Sequence, residues 1–201
     1  MTTGFQVANA AQIPSRENID GYSFQVTQKQ PPLETIQEIR EIASNRGFTP
    51  LITVKLAPDD PASYPQDDNH HANRAAEALL AAHAYPDTRV LLDTFTDHDR
   101  GYYPRHGLYD KLLNPRKPAR VLRNLDAALT THGARVRDIQ KEVNGWTTIT
   151  FTSRETRYTL NLPHINTPKE KQDTTINLVT GEINQKPPVT TQHLTIKPRT
   201  K

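Results

Sequence analysis

The chain has 201 residues, 34% of them apolar, no cysteine, and a formal net charge of +3 at pH 7. No apolar run approaches the roughly 18 residues of a membrane helix, so a helical span and a membrane partner are not expected; the lack of cysteine excludes disulfides, a thiol nucleophile and thiolate metal centres. The charge divides at Gly133, with 14 Lys+Arg against 16 Asp+Glu before the division and 11 against 6 after it. The basic excess is dispersed, without a basic run or a basic–aromatic strand, so nucleic acid is not an expected partner.

The first 20 residues lack the basic start and apolar core of an export signal, which makes the cytoplasm the default expectation. Ile19 to Val26 reads as a strand. Pro32 then starts a helix with Leu33, Ile36, Ile39 and Ile42 at three-residue steps, closed by Gly47. Thr49 to Pro58 is a second strand, β-branched at its centre. After a polar loop, Asp67 or Asp68 caps a second helix, on which Ala72, Ala75, Ala76, Leu79 and Leu80 form a small-residue face suited to close packing on a sheet. His70 and His71 in its first turn are expected to be solvated. Arg89 to Phe95 is a third, apolar strand, and Pro118 begins a third helix through Val121, Leu122, Leu125, Ala128 and Leu129, stopped by Gly133.

Strand–helix alternation with apolar strands implies an α/β arrangement with a parallel sheet and right-handed crossovers. Beyond Gly133 the texture changes. Four Thr-rich segments, WTTITFT, RYTLNLP, TTINLVTGEI and VTTQHLTIKP, keep a two-residue apolar period, as antiparallel strands with one wet face do. The division expected is therefore an α/β portion over 1–133 and a small antiparallel, sandwich-like β domain over 134–201.

In parallel α/β folds, chemistry gathers at the carboxyl ends of the strands. That places Lys55 and the run DTFTDHDRGYYPRHG on the functional face. Candidate substrate-binding residues are Lys55, Asp93, Asp97, Asp99, Arg100, Tyr102, Arg105 and His106. Asp93 either accepts hydrogen bonds from a ligand or anchors the loop through backbone N–H groups. Arg100 and Arg105 either pair with nearby aspartates or clamp a substrate anion. Tyr102 and Tyr103 either offer rings to a ligand or pack beneath the loop. Lys55 is either a surface-reaching lysine or a buried base. Asp97, His98 and Asp99 have metal-ligand chemistry, but successive side chains seldom converge on one ion, so no metal and no cofactor are expected.

The stretch LLDTFTDHDRGYYPRHGLYDKLLNPRKPA resembles the eighth strand and following segment of retaining (β/α)8 glycoside hydrolases of the β-glucosidase kind. Leu91, Leu92, Asp93, Phe95, Gly101, Tyr102, Arg105, Gly107, Leu108, Lys117 and Pro118 carry the likeness. The tail INLVTGEINQ…LTIKPRT is similar to the carboxyl-terminal β domain of many such enzymes. The resemblance implies the last three βα units of a barrel over Ile19 to Gly133, with the first residues as a remnant of the unit before, and a carbohydrate ligand. It departs where catalysis is concerned: the end of the seventh strand offers Val54 and Lys55 instead of a glutamate nucleophile. Thr96 and Asp97 stand where the family has a glycone-binding Glu and a Trp. The catalytic residues are therefore unknown. The implied function is the carboxyl-terminal portion of a glycoside-hydrolase-like protein, incomplete as a catalyst alone; the alternative is a non-catalytic carbohydrate-binding or assembly module. An unclosed sheet edge would invite self-association.

Overall fold

The computed structural model describes residues 4–5, 21–56, 68–97, 107–131, 136–143, 146–153, 156–163, 175–184 and 193–198. The chain forms two compact units, Met1–Gln66 with Glu77–Asn114, and Asp67–Ala76 with Pro115–Lys201.

The first unit is built on four parallel strands, β1 (Gly4–Phe5), β2 (Gly21–Val26), β3 (Thr49–Val54) and β4 (Arg89–Leu92), in the order β1-β2-β3-β4. Every connection advances one strand in the same direction, so the sheet is singly wound and the order nowhere reverses. Between β2 and β3 lies α1 (Pro32–Arg46), with Pro32 at its start, where a missing N–H costs nothing. Gly47 ends it in the left-handed region at φ 71°, and the Phe48 N–H returns to the Ala43 carbonyl at 3.2 Å. Leu33, Ile36, Ile39 and Ala43 form its buried stripe.

Paired parallel residues share a face. Phe24 with Ile52, and Val26 with Val54, are fully buried on one side. Ser23 with Leu51, and Gln25 with Thr53, lie half-buried on the other. Strand β4 departs from the apolar, buried strand expected there: Leu91 is 49% exposed and Arg89 is exposed. Among the described residues β4 pairs with β3 alone, so one of its edges has no strand to cover it.

Helix α2 (Asp68–Ala84) is divided between the units after Ala76. Of the face expected there, Ala72, Ala75, Ala76 and Leu80 are at 0% exposure while Leu79 is half-buried, and Ala81 is buried beside them. Its polar side is buried too. His71, expected in a solvated turn, is 4% exposed, and Glu77 accepts the Leu33 N–H at 3.2 Å.

The second unit joins the first turns of α2 and helix α3 (Lys117–Thr131) to six antiparallel strands: β5 (Arg137–Val143), β6 (Trp146–Ser153), β7 (Thr156–Pro163), β8 (Thr175–Asn177), β9 (Ile183–Asn184) and β10 (His193–Pro198). Their order is β5-β6-β7-β10-β8-β9. Among the described residues they make one sheet, where two facing layers were expected. Ile149, Phe151, Tyr158, Leu160, Leu162, Leu178 and Leu194 are buried, and the directly opposed Phe151 and Tyr158 rings stack at 5.0 Å. Helices give this unit its other apolar layer: Val121, Leu125 and Leu129 of α3 are buried, and Asn124 Nδ2 donates to the Leu178 carbonyl at 2.9 Å. Asn73 Nδ2 of α2 likewise donates to the Pro163 carbonyl at 3.1 Å.

Candidate functional site

The site lies wholly in the first unit, where β2, β3 and β4 end. Pairing continues one residue past the strands: the Lys55 N–H donates to the Val26 carbonyl at 2.9 Å, and the Asp93 N–H to the Val54 carbonyl at 3.2 Å. The next step is stitched by side chains. Asp93 Oδ1 accepts the Leu56 N–H at 2.7 Å, and Gln28 Nε2 donates to the Leu56 carbonyl. Leu56, itself fully buried, thus has its N–H taken by the end of one neighbouring strand and its carbonyl by the end of the other. Of the two roles open to Asp93 in the sequence, the observed bond is the anchoring one.

The chain then turns sharply. Thr94 sits at φ 61°, an unfavourable backbone for a β-branched residue. Phe95 follows, 63% exposed, its ring centroid 4.9 Å from that of Tyr109. A second segment returns alongside. Leu108 N–H donates to the Thr94 carbonyl (3.3 Å), Tyr109 N–H to the Phe95 carbonyl (3.0 Å), and Asp97 N–H to the Tyr109 carbonyl (3.0 Å), making a parallel bridge between Thr96 and Tyr109. Asp97 Oδ1 accepts the Gly107 N–H at 2.7 Å. Glycine is required at 107 by close approach: a Cβ there would lie 2.4 Å from Asp97 N and 2.7 Å from the Tyr109 carbonyl oxygen. Beyond Tyr109, Asp110 closes the following turn by accepting from the Leu112 and Asn114 N–H groups, both at 2.8 Å.

Among the residues singled out in the sequence, Lys55 and Asp93 occupy equivalent positions on neighbouring strands, one step past the paired Val54 and Leu92. Lys55 is half-buried. Asp97 is the last described residue before 98–106, and its carboxylate accepts the N–H of Gly107, where the described chain resumes. Asp99, Arg100, Tyr102, Arg105 and His106, with His98 and Tyr103, lie outside the described residues. Gln28 and Tyr109 are not among the residues singled out in the sequence, and Phe95 stands there only as part of the eighth-strand likeness. Phe95 and Tyr109 were legible as aromatics bracketing the charged run; Gln28 carried no signal, since its partner is 28 residues away.

No family model matches the sequence, and no curated protein matches it. Solved structures do. A family 39 glycoside hydrolase from the gut symbiont Bacteroides cellulosilyticus WH2 aligns with 89% of this chain at a TM-score of 0.54 and 12% identity. A glucosidase from Croceicoccus marinus aligns with 96% of it at 0.46 and 15% identity. The chain spans 44% and 42% of the lengths of those two proteins. The structural neighbours are thus glycoside hydrolases matched over part of their length, and the first of them shares the fold of this chain.

Proposed function

We propose that this chain is the carboxyl-terminal portion of a glycoside-hydrolase-like, carbohydrate-active protein, with β1 to β4 as the last four strands of a (β/α)8 barrel. In chain order, residues 1–133 are the barrel-derived part and 134–201 an appended β domain. The observation that carries the reading is the unbroken parallel order β1-β2-β3-β4, with polar and aromatic residues gathered where those strands end. A doubly wound sheet would reverse its order near the site; a barrel advances one way around. The half-exposed β4 fits the same reading, because in a closed barrel that edge would be paired.

The chain alone is not a complete catalyst on this reading. Retaining glycosidases need two carboxyl groups about 5 Å apart. At the end of β3 stand Val54, Lys55 and Leu56, none of them acidic, and the Asp93 carboxylate is engaged by a backbone N–H. Lys55 and Asp97, with Asp99, Arg100, Tyr102, Arg105 and His106 of the intervening segment, are proposed to contribute polar contacts to a bound carbohydrate. A non-catalytic carbohydrate-binding module is the second reading, favoured by the exposed Phe95. An assay of the isolated chain on aryl glycosides beside a glycan array tests both: binding without hydrolysis is expected, and turnover by the isolated chain would overturn the incomplete-catalyst reading.

A further inference from the structure

Building on the carbohydrate reading, we propose that Phe95 and Tyr109 form a stacking platform for the apolar face of a pyranose ring. A single exposed phenylalanine is ordinary; this one is held in place. Thr94 adopts φ 61° immediately before it, and backbone outliers of this kind persist where the surrounding structure over-determines them. The Phe95 carbonyl is bonded to Tyr109 N–H, and the Thr94 carbonyl to Leu108 N–H, so both rings ride on one bridged frame. Their planes are inclined by 37°, so neither ring covers the other by parallel stacking.

The chemistry around the pair selects the ligand class. Phe95 stands between Thr94 and Thr96 and Tyr109 carries its own hydroxyl, so hydroxyl groups neighbour the rings in the chain, while the Asp97 and Asp110 carboxylates already accept backbone N–H groups. A pyranose with equatorial hydroxyls has the matching form, a C–H face the size of one ring and a polar rim. An apolar peptide or a second protein copy would need a broader continuous apolar surface.

The test is calorimetric titration of the full chain with cellotetraose and with xylotetraose, using wild type, Phe95→Ala, Tyr109→Ala and Phe95→Trp, each checked for native thermal unfolding. The expected result is binding of at least one sugar by wild type, weakened at least about fivefold in Phe95→Ala and retained in Phe95→Trp. Wild-type affinity in a folded Phe95→Ala would overturn the platform and leave the carbohydrate reading standing. Failure of wild type to bind these sugars or any pyranoside on a glycan array would overturn the carbohydrate reading, and the platform with it.

Discussion

The Asp93 carboxylate accepts the Leu56 N–H at 2.7 Å, joining the ends of β3 and β4 just where the backbone ladder stops. A buried amide deprived of its acceptor costs about 1–3 kcal/mol. Asp93→Ala should therefore lower unfolding stability by that amount in urea denaturation. Asp93→Asn, which keeps a carbonyl oxygen, should cost less. Full stability in Asp93→Ala combined with lost sugar affinity would assign the residue to the ligand instead.

Gly107 allows the second segment to touch the first. Adding a methyl group brings it to within 2.4 Å of a backbone nitrogen, and backbone cannot rotate aside as a side chain can. Gly107→Ala should cost about 1–3 kcal/mol. The loss should be local, read as faster hydrogen exchange at the Asp97, Leu108 and Tyr109 amides, with the Phe24 and Ile52 amides unchanged.

Far from the site, Arg40 Nε donates to both oxygens of Asp87, at 2.9 and 3.0 Å, and the guanidinium lies 5.0 Å from the Tyr85 ring centroid. The hydrogen bond from Arg40 holds the Asp87 carboxyl below the usual aspartate range, while burial pushes the Tyr85 hydroxyl up. Asp87 therefore binds its proton more readily unfolded than folded. Its stabilisation is present above the unfolded value of about 3.9 and is lost as pH falls through the lower folded value. Both partners are substantially exposed, so the contribution is about half a kcal/mol. Arg40→Ala should lower stability by that amount at pH 6, with the gap to wild type closing below about pH 4.

Among the described residues no strand pairs with the outer edge of β4, and we propose that this edge, with Leu91 exposed beside it, draws a second copy of the chain. Light scattering after size exclusion should give a mass above that of one chain, rising with concentration, and Leu91→Lys should lower it. A single-chain mass at every concentration would contradict this.

Where local chemistry decides structure, the sequence was readable. Pro32 and Gly47 bound α1, and the β-branched centre of Thr49–Val54 is a strand with alternating burial. Strand β5 escaped notice because RDIQKEV is polar almost throughout, with no apolar period to mark it. TTINLVTGEI, read as one strand, is β8 and β9 joined by a turn in which the Gly181 N–H returns to the Asn177 carbonyl at 2.7 Å. The insertion of β10 between β7 and β8 depends on pairings between residues far apart in sequence, which no local pattern encodes. At the site, strand-end placement picks out Lys55, Asp93 and Asp97 as candidates, but the bond that Asp93 makes to Leu56 depends on a neighbour 37 residues away, which no local pattern encodes. The Phe95–Tyr109 pair is invisible to periodicity because Thr94 breaks the strand before it.

The most direct test of the account is an amide-resolved NMR titration of the labelled chain with cellotetraose or xylotetraose. Shifts are predicted at the carboxyl ends of the parallel strands, around Lys55, Leu56, Asp93 to Asp97 and Gly107 to Asp110. Shifts confined to the opposite strand ends, at Gly21, Thr49 and Arg89, or to the antiparallel sheet, would contradict it.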